Sequence, residues 1–509
     1  MKKLIALVLT LALVASAVAL LAGCKKKTIP DFVVPENGYD GSAVTIVFKH
    51  SMGAEYRQIL ENHIAEFNKL YPKITVKHES LGGYNDVRNQ LKTELTGKDY
   101  PNMAFCYPDH VALYQQSKKV LALDSLIESD VTFKREDGTQ VRVGFTSDEI
   151  ANFNEAFWNE GKQFADGKMY TLPFAKSTEV LYYNIKVFGE LGLKVPDHWF
   201  PTDGKTGLNT TDDTSMEYVC AKLKAEFGDA CTPLGYDSES NWFITLMEQA
   251  GLPYTSATGD KYLFNTEGAR NLMEKLRDWY QKGYFTTGTL YGGGGQSSTY
   301  TSALFNGSNE QLRSYMCIGS SAGATNQRPN KVENQYPFEV GIATIPQMDP
   351  SKGTIAISQG PNICLFNKEN PQEVVATWLF AKYLLTNHAF QFEYTQKGGY
   401  VPPIKSLSDE TLADSDPAVK KYIQNMKNAN VFDNVSYLSQ KLCLGLNETG
   451  TKYTKFFTSP AFPGSSTARD QVGELLVAII KEESSKVPDV KAFIKQQFNK
   501  AINECEYGG

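Results

Sequence analysis

Apolar residues along this chain recur with two periods in turn. Val44-Thr45-Ile46-Val47-Phe48 is a short apolar run that predicts a buried strand, and from Tyr56 to Tyr71 the positions Ile59, Leu60, Ile64, Phe67 and Leu70 have the spacing of a helix face. Ile74-Thr75-Val76 predicts a second strand, Tyr84 to Leu95 a second helix and Met103-Ala104-Phe105 a third strand. Strand and helix alternating in this way is the mark of a parallel α/β sheet. The pattern resumes at Val180 to Val187, Ser215 to Phe227, Trp242 to Ala250 and, most regularly, in a helix from Thr266 to Lys282. A strand-like run, Ile355 to Phe366, precedes a helix from Pro371 to Leu385, and Leu475 to Ile480 and Val490 to Ile502 predict two further helices. Asp197 to Asp213, rich in Gly, Thr and Asp, and Tyr291 to Thr301, with four consecutive glycines among serines, predict surface loops. No repeat of solenoid length interrupts this order.

One stretch follows neither period. After Met1-Lys2-Lys3 the chain is predominantly apolar from Leu4 to Leu21 and closes on Leu21-Ala22-Gly23-Cys24, which resembles a bacterial lipobox. Residues 1–23 are then a lipoprotein signal peptide and Cys24 the lipidated mature N-terminus, held at the extracellular face of the cell membrane. Two or three acyl chains, at about 0.8 kcal/mol per buried methylene, make a stable anchor. A transmembrane helix is the other reading, since about 20 apolar residues span a bilayer; it gives the small pair and the cysteine no use. Lys25 stands where an inner-membrane retention aspartate would, which favours a Gram-positive outer face and leaves an outer-membrane anchor or a periplasmic setting open. Residues 24–42 lack periodicity and predict a tether, with order starting near Ala43.

Composition narrows the function. The chain has 509 residues, and removing 23 leaves 486, more than one hydrophobic core usually serves, so two lobes are expected. The first 23 carry two lysines and no acid, leaving 49 basic against 57 acidic residues, a net charge of −8 that argues against nucleic acid as a partner. Seven cysteines follow Cys24, at 106, 220, 231, 317, 364, 443 and 505. An odd, scattered set with no Cys-x-x-Cys pair argues against a disulfide framework or zinc site and predicts buried thiols; a Cys220–Cys231 bridge stays open. The six histidines form no metal-binding spacing, and the run Gly292 to Gly295 lacks the Gly-Lys-Ser/Thr of a phosphate loop, so neither metal nor cofactor is expected.

Gly319-Ser320-Ser321-Ala322-Gly323 has the spacing of a nucleophile elbow after a strand-like run. The only histidine downstream of Ser321 is His388, in an apolar helical run, so a glycine-serine turn offering hydroxyls and backbone N–H groups to a polar ligand is the better reading. A glycosidase carboxylate pair is not resolved by spacing among 57 acids.

Phe48-Lys49-His50-Ser51-Met52-Gly53, Phe67-Asn68 before Tyr71-Pro72, and Gly83-Tyr84 resemble the start of extracellular solute-binding proteins of bacterial ABC importers, family 1, in the carbohydrate and glycerol-3-phosphate branch. Gly167 to Phe174, Ser177-Thr178-Glu179-Val180-Leu181-Tyr182-Tyr183-Asn184, Gly398-Gly399-Tyr400-Val401-Pro402 and Gly464-Ser465-Ser466-Thr467-Ala468-Arg469 continue the likeness over nearly the whole mature chain. The resemblance implies an α/β, two-lobed periplasmic-binding-protein (Venus-flytrap) fold with crossing hinge strands. Lobe 1 is expected at 43–178 plus 354–398 and lobe 2 at 179–353 plus 399–509, with crossings near Ser177 to Tyr182, Ile355 and Tyr400. It further implies a monomer that binds a sugar, oligosaccharide or glycerol phosphate, delivers it to ABC permease subunits and catalyses nothing.

Binding positions carried over from that branch are Tyr84, Ser177, Ser320, Gly360, Tyr400 and Arg469. Arg469 offers a planar fork of donors for phosphate or vicinal hydroxyls, and the tyrosines join an apolar face to a polar tip. Where the branch has an acid directly after a Tyr, this chain has Cys106-Tyr107-Pro108-Asp109; the displaced Asp109 is a candidate for a polyol hydroxyl, and the departure weighs against glycerol phosphate. Trp242 is a candidate to stack on a sugar face, and the Asp197 to Asp213 insertion to reshape the cleft rim. The reading from another class is a secreted, lipid-anchored esterase or glycosidase, needing a base near Ser321 or carboxylates facing across the cleft.

Overall fold

The computed structural model describes residues 31–292, 300–309, 311–446 and 450–507. Cys24, the apolar segment before it and Gly293–Gly295 lie outside these residues. One sheet takes β1 (Val44–His50), β2 (Ile74–Ser80), β3 (Met103–Cys106), β6 (Leu172–Pro173) and β13 (Asn362–Leu365) in the order β2-β1-β3-β13-β6. Its first three strands run parallel, as the alternating pattern predicts, and β13 lies antiparallel to β3 and β6. A hairpin of β4 (Thr132–Lys134) and β5 (Gln140–Arg142) stands apart. The second sheet takes β7 (Ser177–Asn184), β8 (Leu234–Tyr236), β9 (Phe285–Thr287), β10 (Met316–Ser320), β12 (Ile355–Gln359) and β14 (Lys455–Phe457) in the order β14-β12-β7-β10-β8-β9, with β11 (Val340–Ala343) also paired to β7.

The continuous apolar strands of the first sheet are explained by burial on both faces. Successive strand side chains point to opposite sides, so Met103 and Phe105 enter one core while Ala104 and Cys106 enter another, and Ile363 and Leu365 part from Cys364 and Phe366 in the same way. The second lobe has its own core, built on β7 and β10 and on the helices Glu239–Ala250, Glu267–Gln281 and Ser465–Lys481. No helix among the described residues is long and apolar enough to cross a membrane. All seven described cysteines are buried and free, Cys220 and Cys231 included.

Three expectations change. The tether to Ser42 is docked at its end: Tyr39 is buried edge-on against Tyr71 and Phe133, and Gln372 takes the Asp40 N–H at 3.0 Å. The run Ile355 to Phe366 is two strands in different sheets, because Gly360 stands at φ +84° and Pro361 follows; Ile355–Gln359 therefore belongs with the second sheet. Beyond Tyr400 the chain returns to the first core, where Ile404, Leu407, Val419 and Tyr422 are buried, instead of passing wholly to the second lobe.

The strands that cross between the sheets converge on one buried ion pair. Lys176, between β6 and β7, places its ammonium 2.6 Å from Glu160 Oε2 and donates to the Gly360 carbonyl and Asn362 Oδ1, each at 3.2 Å. The Ser358 hydroxyl donates to the other Glu160 oxygen, and Asn362 Nδ2 to Glu160 Oε2 at 3.3 Å. The Lys176 backbone exchanges hydrogen bonds with Val401, so the third crossing joins the same point. Lys176→Met should destabilise the protein by about 3–5 kcal/mol in denaturant titrations, because it strands a buried carboxylate; adding Glu160→Gln should recover part of the loss, and a single variant as stable as wild type would remove the pair from this role.

Candidate functional site

Between the lobes lies a cleft of about 720 Å³, within the size range of small-molecule sites. The first lobe lines it with the starts of the helices Tyr84–Glu94 and Pro108–Tyr114, and the second with the ends of β8 and β10 and the helices Glu239–Ala250 and Ser465–Lys481. Ser177, Gly360 and Tyr400 line it at the hinge. Backbone packing explains the glycines there. A Cβ on Gly399 would stand 1.7 Å from the Ser321 carbonyl oxygen and one on Gly360 2.2 Å from that of Ala175, so neither crossing segment has room for a side chain.

Tyrosines form the first-lobe wall. Tyr84 and Tyr107 pack edge to face at 5.0 Å, and the Tyr84 and Tyr400 hydroxyls are 3.5 Å apart. Burial pushes the phenols of Tyr84, Tyr107 and Tyr400 upward, so all three are neutral donors and acceptors at ordinary pH.

Carboxyl groups and two arginines supply the charge. Glu179, on β7, accepts from the Tyr236 hydroxyl at 2.7 Å, and burial pushes its carboxyl up to about 7. Asp237 accepts the Thr301 N–H and hydroxyl, both at 2.7 Å, and burial raises it to about 6. Burial also opposes the charge on Asp109, but His110, Arg469, the Ser466 hydroxyl and Arg88 outweigh it and hold that carboxyl below its ordinary value. Arg469 donates to Asn241 Oδ1. Among the described residues, contacts to the helix Ser465–Lys481 span the cleft: Ser466 Oγ to Asp109 Oδ2 at 2.8 Å, and Arg88 Nη1 to Asp470 Oδ2 at 3.2 Å.

Of the positions singled out in the sequence, Tyr84, Asp109, Ser177, Ser320, Gly360, Tyr400 and Arg469 all line this one cleft. Trp242 does not. It is fully buried, stacked at 4.5 Å on Tyr236 and edge-on to Phe285, because the helix Glu239–Ala250 turns Asn241 and Ile244 to the cleft and the indole to the core. The Asp197–Asp213 segment is absent from the lining; His198 joins Asp197 and Asp212 at 2.6 and 2.9 Å, Asp203 bonds Thr210 and Thr211 of its own loop, and Asp213 pairs with Lys194. Glu179, Asp237, Tyr107, His110, Tyr254 and Tyr300 line the cleft without having been singled out. Glu179 alone carried a signal, an acid inside an apolar strand.

Ser321 is fully buried and accepts the Thr178 N–H at 3.2 Å. His388 instead joins Asp416 and Ser406, each at 2.7 Å, on the first lobe. That Ser–His–Asp chain has structural work, since Asp416 caps the helix Pro417–Lys427 and Ser406 is clasped by Asn152. Among the described residues no group of three His, Cys, Asp or Glu is placed to hold a metal.

Comparison with known proteins matches residues 62–425 to the family of bacterial extracellular solute-binding proteins. The multiple sugar-binding protein of Streptococcus mutans is 23% identical over 373 residues, 73% of this chain and 77% of that protein. The GacH receptor of Streptomyces glaucescens, solved unliganded and with acarbose, superposes with a TM-score of 0.60 at 13% identity, over 91% of this chain and 98% of that one. UgpB of Mycobacterium tuberculosis in complex with glycerophosphocholine gives 0.59 at 16% identity, over 91% and 98%. The cyclic α-maltosyl-1,6-maltose binding protein of Arthrobacter globiformis gives 0.57 at 16%, over 92% and 100%. At these identities the superpositions establish the two-lobed fold.

The Glu179 carboxyl gives the site a pH signature. Its folded-state value of about 7 lies above the ordinary 4.5, so the folded state holds the proton more tightly, and the stability this contributes is lost as pH rises from about 4.5 to about 7. Wild type should therefore lose up to about 3 kcal/mol relative to Glu179→Gln across that window. Parallel denaturation curves for the two proteins would refute this.

Proposed function

The chain belongs to the bacterial extracellular solute-binding proteins, and on that footing we propose that it captures a carbohydrate between its lobes and delivers it to the permease of an ABC importer. The carrying observation is the lining of the cleft. Tyrosine rings and hydrogen-bonded carboxyls suit the apolar faces and hydroxyl edges of sugars, and Asp109, Glu179, Asp237, Glu239 and Asp470 outnumber Arg88 and Arg469. An excess of acid is unfavourable for a phosphate, and about 720 Å³ is far more than glycerol-3-phosphate would fill, so an oligosaccharide fits better. The sugar-binding relative in Streptococcus mutans supports the same choice. A glycerophosphodiester with a quaternary ammonium head is the second reading, favoured by the same tyrosines and acids, which attract an organic cation.

Capture is a matter of differential affinity. A ligand touching Tyr84 and Asp109 on one lobe and Arg469 on the other stabilises whichever arrangement lets it touch both. In the same reading Cys24 carries the lipid anchor, and the single chain works as a monomer tethered near its permease, which raises its effective concentration there. Ser177, Ser320 and the Gly360 N–H supply further hydrogen bonds, and no reaction is assigned to the cleft.

A thermal-shift panel of maltotriose, mannotriose, glycerol-3-phosphate and glycerophosphocholine tests the reading. An oligosaccharide at about 100 times its dissociation constant should add about 2.7 kcal/mol of stability, while glycerol-3-phosphate leaves the melting temperature unmoved; a response to glycerol-3-phosphate alone would overturn the choice. Arg469→Ala should weaken binding of the responding sugar about tenfold or more by calorimetry, with the ligand-free melting temperature kept. Unchanged affinity would take Arg469 out of the site.

A further inference from the structure

Buried polar side chains almost always find partners, so an unpaired one facing a ligand cleft calls for an explanation. Among the described residues with such atoms, Trp242, Thr245 and Tyr114 are away from the cleft, and two such atoms belong to residues that line it: Nδ1 of His110 and Oε1 of Gln327. Gln327 has a use inside the second lobe, since its amide meets the Cys317 thiol beneath Gly319. His110 is different. Its ring is 4% exposed and meets the Tyr107 ring edge-on at 5.4 Å, yet Nδ1 has no hydrogen-bond partner.

The surroundings say what would satisfy it. Asp109, next in sequence, is bonded to Ser466 of the opposite lobe, and Arg88 and Arg469 act electrostatically on the imidazole. Burial pushes the imidazole down to about 4, so it is neutral at ordinary pH. A neutral imidazole has one donor and one acceptor nitrogen, and a sugar hydroxyl both donates and accepts. A phosphate oxygen without a proton can only accept.

We propose that His110 is a further ligand contact of the cleft, its Nδ1 hydrogen-bonding a hydroxyl of the captured carbohydrate. This rests on the carbohydrate reading above. The ligand-free protein carries an unpaired polar atom that the sugar satisfies, so the imidazole serves binding at the expense of stability.

The test uses the full mature chain and whichever of maltotriose or mannotriose stabilises the wild type. His110→Leu should keep or raise the ligand-free melting temperature and weaken that sugar's affinity about tenfold or more. His110→Asn, whose amide stands near the place of Nδ1, should recover most of the affinity. Affinity within twofold of wild type in His110→Leu, equal losses in the two variants, or a lowered ligand-free melting temperature in His110→Leu would each overturn the contact. Those outcomes leave the carbohydrate reading standing; a wild type stabilised by neither sugar would sink both.

Discussion

A lysine buried to 1% of its side-chain surface, 2.6 Å from a carboxylate exposed by 4%, holds this molecule's halves in register. Desolvating two such charges is costly unless each is fully bonded, and here every strand crossing between the sheets contributes a partner. Lys176 belongs to the first crossing, Gly360 and Asn362 to the second, and Val401 pairs with the Lys176 backbone from the third. Glu160 takes the Ser358 hydroxyl and the Asn362 amide as well. A shift of either of the first two crossings would leave a charge short of bonds, and the third is held to Lys176 through its backbone, so the hinge is specified at one point.

From that point outward, close backbone approach does the rest. Gly398 and Gly399 let the third crossing lie against the turn after β10, with a Cβ on Gly398 only 2.7 Å from the Ala322 carbonyl oxygen. The result is a Tyr400 ring delivered to the cleft beside Tyr84. The glycine-serine turn is thus a hinge bearing before it is anything else. Ser321 faces inward to Thr178, while Ser320 and Gly323 face the cleft.

The cleft itself combines groups whose environments set them apart. Glu179, buried, and Asp237, half-buried, have raised affinity for protons in the second lobe, while Asp109 keeps its charge among arginines. The helix Ser465–Lys481 links these sides, since Ser466 and Asp470 reach the first lobe while Arg469 bonds Asn241 of its own. A ligand entering here meets a surface already braced across its mouth, so binding must work with those contacts or exchange them for its own.

Much of this was legible from order along the chain. The alternation of helical and strand periods specified a parallel α/β sheet, and short motifs such as Gly83-Tyr84, Ser177-Thr178-Glu179 and Gly398-Gly399-Tyr400 marked stretches that reach one cleft. Such signals are local: a period records which face of an element is apolar, and a glycine records a backbone with no room for a side chain. What covers a face depends on other segments that the fold brings to it. Trp242 looked available for stacking until Tyr236 and Phe285 closed over it, and Ile355 to Phe366 looked like one strand until the turn at Gly360-Pro361 divided it between two sheets. His110 and Asp237 gave no sign, because an unpaired nitrogen or a carboxyl forced toward neutrality is a property of its burial. The sequence by itself determined the alternation, the lobes' building blocks and several of the residues at the cleft; only the tertiary structure decided which side chains face it and in what charge state, since both depend on what else is packed within a few ångströms.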